Sequence, residues 1–255
     1  MDLSDRMKQY EGTYRGYLKI ENEHDVVVIR VDGRAFHTYT RGAKEPFDEM
    51  LQSSMNEVAR ELCENIQGAQ LAYVQSDEVS VIVSAGNGAN IWFDGNIQKM
   101  CSISAAIAST RMTLESPRVF GKMRVAQFDS RVFVLPKEEV INYLIWRQSD
   151  ATRNSVQMLA RSLFSHKQLL GKSCDVMKQM VREAGRPWEN EAIGSTRGRC
   201  IIKQSFQENV EYVDKRTKQI KNAVAERTRW IPIWDIPCFV QDRTFVAQQL
   251  KKEQQ

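Results

Sequence analysis

The chain has no apolar run long enough to span a bilayer, and its first residues contain no apolar leader. The expectation is a soluble, cytoplasmic protein with no membrane partner. Cysteine is sparse: the five (Cys63, Cys101, Cys174, Cys200 and Cys238) are odd in number, and the nearest two lie 26 residues apart. That spacing excludes a disulfide framework or a zinc ribbon, and the residues read as reduced thiols. A strong charge bias is also missing, with 36 Lys+Arg against 32 Asp+Glu and a net charge of +4. Bulk charge therefore permits a nucleic-acid partner without demanding one, and local clustering must carry that argument. No internal repeat or low-complexity block is present. What remains is a 255-residue chain with 42% hydrophobic and 27% charged residues, enough for one large domain or a domain with an appended module.

Two stretches stand out. In Val26-Val27-Val28-Ile29-Arg30-Val31-Asp32-Gly33, a β-branched run ends on a carboxylate. In Leu71 to Val83 a strand runs into Gln75-Ser76-Asp77-Glu78 and a second β-branched run leaves at once. Either acid taken alone reads equally as an ordinary turn residue. Two carboxylates on neighbouring strand ends cannot both stay ionised unaided, and a hard divalent cation would neutralise them. After Asp32-Gly33 come Arg34-Ala35-Phe36-His37 and then Arg41, Gly42 and Lys44 before Pro46. Glycine permits close approach of a ligand, and successive backbone N–H groups with Arg and Lys nearby can cradle phosphates. A solvated basic loop is the bland alternative, and His37 alone is more often a structural hydrogen-bonder.

Along the chain, Leu3, Met7, Tyr10 and Tyr14 predict a helix over residues 2–18, and Val26 to Val31 a strand. Pro46 and Asp48 open a helix with Leu51, Met55, Val58 and Leu62 on its apolar face, ending at Gln67-Gly68. A helix rich in small residues is expected from Ile97 to Met112, with Lys99 as its conspicuous cation, and a third strand within Val125 to Leu135. The next helix starts near Lys137 and reaches Met158, with Arg147, Asp150, Arg153, Asn154 and Gln157 along one side. That stripe is either a solvated face or a substrate-facing one. Gly198 to Lys203 reads as a strand, followed by a basic stretch containing Lys215, Arg216, Lys218, Lys221, Arg227 and Arg229 beside Trp230 and Trp234. Basic residues beside exposed aromatics can hold RNA, or they can form a helix and an edge strand. The tail from Gln248 to Gln255 is expected to fray. The order βαββαβ is ferredoxin-like, as in polymerase palm domains and many unrelated proteins.

Four motifs in order, Asp32-Gly33-Arg34-x-Phe36-His37, Gln75-Ser76-Asp77-Glu78, Phe128-Asp129-x-Arg131 and Trp146-Arg147-Gln148-x-Asp150, resemble those of the tRNA-histidine guanylyltransferase family over about residues 1–205. The resemblance implies an α+β fold: a polymerase palm-like antiparallel sheet with helices on one face, plus a helical and strand C-terminal extension. It implies a catalytic core over residues 1–150 and an extension over residues 151–255 for RNA handling and oligomerisation. Two Mg²⁺ ions are expected on Asp32, the Gly33 carbonyl and Asp77, with Glu78 as acidic neighbour; Asp32, Asp77 and Glu78 are the expected catalytic residues. Gly33, Arg34, Ala35, Phe36, His37, Lys44, Ser76 and Lys99 are the expected nucleotide-binding set. Arg147, Arg153, Asn154, Lys172 and Arg199 are the expected RNA contacts. The implied partners are tRNA, GTP, ATP and other NTPs, and a homotetramer built as a dimer of dimers.

The departures bear on the substrate. Where the eukaryotic branch carries His-Ile-Asn-Asn-Leu-Tyr-Asn, this chain reads Thr152-Arg153-Asn154-Ser155-Val156-Gln157-Met158, keeping only Asn154. Phe-Asp-Gly-Arg has become Phe128-Asp129-Ser130-Arg131, and an expected Arg pair is Gly95-Asn96, leaving Lys99 as the nearest cation. In these features and in Phe164-Ser165-x-Lys167-x-Leu169-x-Gly171-Lys172 the chain is similar to the shorter prokaryotic guanylyltransferase-like proteins. Those resemble template-dependent 3′ to 5′ polymerases that repair 5′-truncated tRNA. The expected function is therefore templated addition at tRNA 5′ ends with pyrophosphate release, ATP adenylylating any 5′-monophosphate end. Addition of a single G to tRNA-His is the runner-up, and a nucleotide cyclase or a non-catalytic RNA-binding protein is the more remote alternative.

Overall fold

Val26 to Ile29 are four consecutive apolar residues and all four are buried, so the strand that carries them must be covered on both faces. A computed structural model describes residues 5, 16–19, 25–84, 91–213, 215–216 and 218–251. The elements are β1 (Val26–Gly33), α1 (Glu49–Asn65), β2 (Ala69–Gln75), β3 (Glu78–Ser84), α2 (Ile97–Phe120), β4 (Phe128–Leu135), α3 (Glu139–Leu163), α4 (Cys174–Glu183), β5 (Arg199–Val213), β6 (Ile220–Ile233) and α5 (Thr244–Lys251). The strands form one sheet in the order β4-β1-β3-β2-β5-β6, antiparallel throughout. The first four give the 4-1-3-2 order expected of a βαββαβ unit.

Helix α1 starts where Asp48 accepts the Leu51 backbone N–H at 3.0 Å, and it buries Met55, Val58 and Leu62 at helical spacing. These residues, with Met100, Ala108 and Met112 of α2, cover the face of β1 that carries Val27, Ile29 and Val31. Helix α2 continues past Met112 to Phe120, with Pro117 in its last turn and Gly121 closing it at φ 67°. The hydroxyls of Thr113 and Ser116 accept the backbone N–H groups of Ala126 and Arg124, which ties the returning chain to this extra length.

The expectation of helices on one face is corrected. The other face of the sheet, with Val26, Val28, Leu71, Tyr73 and Ile82, is covered by Val140, Tyr143 and Leu144 of α3 and by Phe239, Val246 and Leu250 near the C-terminus. Strands apolar at every position demand this second layer. A smaller cluster joins the second half of α3 to α4 and Trp188. Residue 150 lies inside α3, so the chain on either side of it is joined by continuous helix.

Three other boundaries move. The strand expected to end at Lys203 runs to Val213, and the basic stretch after it forms β6. Residues 248–251 belong to α5, anchored by buried Val246 and Leu250, rather than to a frayed tail. The helix expected over residues 2–18 falls almost entirely outside the described residues. At its described end Tyr17 bridges Asn96 and the Leu18 N–H donates to the Gly95 carbonyl at 2.9 Å, so that segment is extended. Among the described residues no helix is long and apolar enough to cross a membrane.

Candidate active site at the ends of the central strands

Register brings the acids together. Asp32, at the end of β1, stands opposite Glu78 on β3 and opposite Asp129 on β4. The β2–β3 turn places Asp77 beside them, with the Gly33 N–H donating to the Asp77 carbonyl at 3.1 Å. That turn is tight enough to hold Ser76 at φ 47°, in the left-handed region. On the β1 side, Gly33 leads into Ala35, also left-handed at φ 54°, and a single helical turn from Phe36 to Tyr39. A side chain at residue 33 would collide with the Phe36 ring, since a Cβ built there lies 2.2 Å from Phe36 Cδ2. Phe36 is itself buried, edge-on to Phe128 with ring centres 5.0 Å apart, so the turn is braced from below.

These pieces line a cavity of about 670 Å³. Gly33, Ala35, Phe36, His37 and Lys44 form one wall and Gln75, Ser76 and Asp77 another, while Asn154, Gln157 and Arg161 of α3 and the segment Gly194–Arg199 close the remainder. Gln52 of α1 and Ser195 meet across it, the Gln52 amide donating to the Ser195 hydroxyl at 3.0 Å.

The electrostatics are those of anions short of a counter-charge. Burial pushes the Asp32 carboxyl above its usual range and Asp129 adds to the shift, against Arg131, Arg30 and Arg147. Asp77 is likewise raised by burial and by Asp32, with the Ser76 hydroxyl opposing. Glu78 is raised by burial despite Arg147 and Gln75. Among the described residues no three His, Cys, Asp or Glu side chains converge as a ready metal cage. The donor set on offer is the Asp32 and Asp77 carboxylates with the Gly33 carbonyl, all hard oxygen ligands of the kind magnesium takes. A dication there would offset the raised carboxylates, so the residues fit such an ion.

Several expected residues sit elsewhere. Arg147 is 5% exposed; its Nε lies 3.3 Å from Glu78 Oε1, without hydrogen-bond alignment, and its Nη2 lies 2.6 Å from Asp150 Oδ2. It is thus a buried bridge between two acids. Arg199 is among the cavity-lining residues yet buried: it donates to Asn56 Oδ1 at 2.8 Å and to the Gly194 carbonyl at 2.7 Å, and burial pushes its guanidinium down to about 10. Lys99 is not in the cavity wall, because α2 runs toward the acids from its far end. The Ser109 hydroxyl accepts the Phe128 N–H, whereas Lys99 lies more than two turns earlier, with its ammonium 6.0 Å from the Phe93 ring. Arg34 turns aside to donate to Gln127 Oε1 at 2.9 Å and does not line the cavity. Arg153 and Lys172 are exposed, Arg153 pairing with Asp150, and Asn154 lines the cavity.

The sequence reading passed over three groups. Asp129 lay within a quoted motif, yet only pairing with Asp32 across β1 and β4 reveals its role. Gln75 precedes Ser76-Asp77 and is buried, its amide donating to Glu78 Oε1 at 3.2 Å. Ser195 carries no local signal and reaches the cavity through tertiary packing alone.

A 4-1-3-2 antiparallel sheet with acids at the ends of its central strands, beside a glycine-initiated turn, defines a palm-type protein. The family model of tRNAHis guanylyltransferase (Thg1) matches residues 4–136, and the chain belongs to that family. Among curated relatives, the probable tRNA(His) guanylyltransferase of Dictyostelium discoideum is 30% identical over 136 residues, covering 51% of this chain and 52% of that protein. The chain thus spans about half the length of such relatives. A bacterial tRNA(His) guanylyltransferase (Thg1)-like protein in complex with ATP is 35% identical, with a TM-score of 0.82, over 98% of this chain and 100% of the other. A bacterial Thg1-like protein in complex with GTP is 33% identical, with a TM-score of 0.78, over 98% and 99%.

Proposed function

We propose that the chain is a nucleotidyltransferase that adds nucleotides to tRNA 5′ ends, in the 3′ to 5′ direction and against a template, so repairing 5′-truncated molecules. The observation that carries this reading is the placing of Asp32 beside Asp77, which itself lines a cavity walled by residues of the Gly33–His37 turn and Lys44. Likeness to bacterial Thg1-like structures in complex with ATP and GTP, over nearly the whole of both chains, supports NTPs as substrates, while the repair reading rests on the motif departures at Thr152–Met158 and Gly95-Asn96. The single-G reading is favoured instead by the name of the curated relatives, which match about half of this chain.

In this scheme the 3′-hydroxyl of an incoming NTP attacks the activated 5′ end. Pyrophosphate leaves a 5′-triphosphate end directly, whereas a 5′-monophosphate end is first adenylylated by ATP with release of pyrophosphate, and AMP then leaves when the 3′-hydroxyl attacks. Asp32, Asp77 and the Gly33 carbonyl would hold two Mg²⁺. Bound there, the ions would activate the attacking oxygen and offset the charge on the leaving pyrophosphate. Ser76 holds Asp77 in place by a hydrogen bond, and Lys44 and His37 line the wall where a triphosphate would lie. Arg147 keeps Glu78 paired and fixed. A homotetramer belongs to the same reading, supported by the exposed apolar side chains of Leu114 in α2 and of Met123 and Val125 between α2 and β4.

The ion assignment has a thermodynamic consequence. The folded Asp32, Asp77 and Glu78 carboxyls titrate above their unfolded values of about 4. Relative to the ionised state, their contribution to stability is fully present below the unfolded values and is lost as pH rises through the folded ones. Without divalent ions, Asp32→Asn should therefore melt higher than wild type at neutral pH, with the gap closing toward pH 4. Magnesium at about 100 times its Kd should stabilise wild type by about 2.7 kcal/mol at neutral pH and Asp32→Asn far less. Calorimetric melts across pH check both, and equal magnesium gains in the two proteins would remove the ion from Asp32.

Activity is tested by offering 5′-truncated and full-length tRNAs of several species. The expected result is addition to truncated ends. Preference for full-length tRNA-His without repair would select the single-G reading, and a cyclic product from NTPs alone would select a cyclase.

A further inference from the structure

Ser109, Thr113 and Ser116 stand on one stripe of α2, at four- and three-residue spacing. Their hydroxyls accept the backbone N–H groups of Phe128, Ala126 and Arg124 at 3.0, 3.0 and 2.8 Å. Alternate N–H groups of the strap over residues 121–127 and of the first residue of β4 are thus laid along the helix that precedes them. On either side of Arg124 this grip owes little to apolar burial, because Met123 and Val125 are 62% and 75% exposed.

Away from the helix, the strap holds the turn that walls the candidate active site. The Arg34 N–H donates to the Gln127 carbonyl at 2.8 Å, and Arg124 Nη1 donates to the Tyr39 and Arg41 carbonyls, each at 2.8 Å. The Arg124 guanidinium stacks over Phe120, its Cζ 3.8 Å from the ring centre. Phe120 meets Tyr39 edge-on at 5.4 Å, and Tyr39 meets Phe36 at 4.7 Å. One side chain therefore ties together the strap, the C-terminal end of α2 and the turn from Phe36 to Tyr39.

Peptide geometry says what this brace does for the site. His37, Thr40, Ala43 and Lys44 line the cavity and Arg124 does not, so the two carbonyls that meet Arg124 point out of it. In a trans peptide the carbonyl and the next N–H point opposite ways. A released peptide could turn over and bring a partially negative oxygen toward the wall that carries Lys44. The far end of the loop is fixed separately, the Lys44 N–H donating to Asp48 Oδ2 at 2.8 Å. Between the two anchors Gly42, at φ 90°, supplies the backbone freedom that the brace restrains.

We infer that Arg124 is the positioning residue of the triphosphate wall: by holding the Tyr39 and Arg41 carbonyls outward, it sets the loop that presents His37 and Lys44 to the NTP. It does so without touching the nucleotide. The inference rests on the nucleotide reading of the cavity. Its effect falls on binding of the triphosphate and not of the nucleoside, and on KM more than kcat, because the acids hang from β1 and the β2–β3 turn instead.

The test compares Arg124→Met, which keeps an apolar stem over Phe120 and removes the donor, with Lys122→Met, which removes one exposed charge from the same strap. Each protein is titrated calorimetrically, in magnesium, with GTP, inorganic tripolyphosphate and guanosine. Each is also assayed for addition to a 5′-triphosphate tRNA lacking its first nucleotide, and followed by hydrogen exchange over residues 36–46. Arg124→Met should raise the Kd of GTP and of tripolyphosphate, and the KM of the NTP, by about tenfold, the scale of one charge-assisted hydrogen bond. Its kcat should change by less than about threefold, with guanosine binding unaltered. Exchange over residues 39–44 should quicken. Lys122→Met should match wild type throughout. Arg124→Lys, one atom shorter, should lie between wild type and Arg124→Met, and it carries the comparison alone if the methionine variant does not fold. Unchanged tripolyphosphate affinity in the Arg124 variants overturns the inference. So does an equal loss of guanosine, which would mark general damage to the cavity, or an equal loss in Lys122→Met, which would make the effect one of charge alone. Wild type that binds neither GTP nor tripolyphosphate would refute the nucleotide reading, and the exchange comparison still decides whether Arg124 holds the loop.

Discussion

Asp32→Ala and Asp77→Ala should each abolish nucleotide addition, lowering kcat/KM by more than about 100-fold, while the protein stays folded. Loss of a mere outer-sphere partner of a bound metal typically costs ~10- to 100-fold, and these two side chains would be the ligands themselves. The fold should survive because neither side chain belongs to the core. Both carboxyls are held above their usual range by burial, Asp32 also by Asp129 and Asp77 also by Asp32, so removing one relieves repulsion among the acids. The measurement is single-turnover addition to a 5′-triphosphate tRNA lacking its first nucleotide, alongside a melting curve. Retained activity in either variant would break the metal assignment. A collapsed melt would show that the acids serve the fold instead.

Arg147→Met should have the largest effect on stability, about 3 to 5 kcal/mol by urea unfolding. Arg147 is buried between Glu78 and Asp150, and removing one member of a buried ion pair leaves uncompensated charge behind. A double variant that also replaces Glu78 with Gln should recover much of the loss, because fewer unpaired anions then remain. That recovery separates an electrostatic role from packing of the guanidinium over Trp146, 4.0 Å from its ring centre. A loss below about 1 kcal/mol for the single variant would mean that Arg147 carries no buried ion pair.

Much of the centre of this molecule was legible in the sequence. Apolar β-branched runs that stop at Asp32 and restart after Asp77 read as strands ending on acids, and the spacing of Met55, Val58 and Leu62 as one buried helical face. Local pattern therefore predicted the βαββαβ core and the acid pair. Long-range packing hid the rest. Arg147 and Arg199 carry charge, which reads as surface, and only the tertiary fold supplies Glu78 and Asp150 for one and Asn56 for the other. Lys99 entered the expected nucleotide set through the resemblance, as the cation nearest the missing Arg pair at Gly95-Asn96, and the direction of α2 carries it away from the acids. The β5–β6 ribbon gave no periodic signal because neither of its faces is buried. The second helical layer was implied all along by strands apolar at every position, a cue that the resemblance to a one-sided palm overrode.

The central claim is that this acid pair and its neighbouring turn serve templated growth at an RNA 5′ end. It is tested most directly by a 5′-triphosphate tRNA lacking its first nucleotide, prepared in four versions that differ only in the base opposite the gap. Each is incubated with magnesium and each labelled NTP in turn. The account predicts that the incorporated nucleotide follows the opposing base in all four, and that Asp32→Ala incorporates none. Incorporation of G whatever the opposing base, or labelling at the 3′ end, would contradict it.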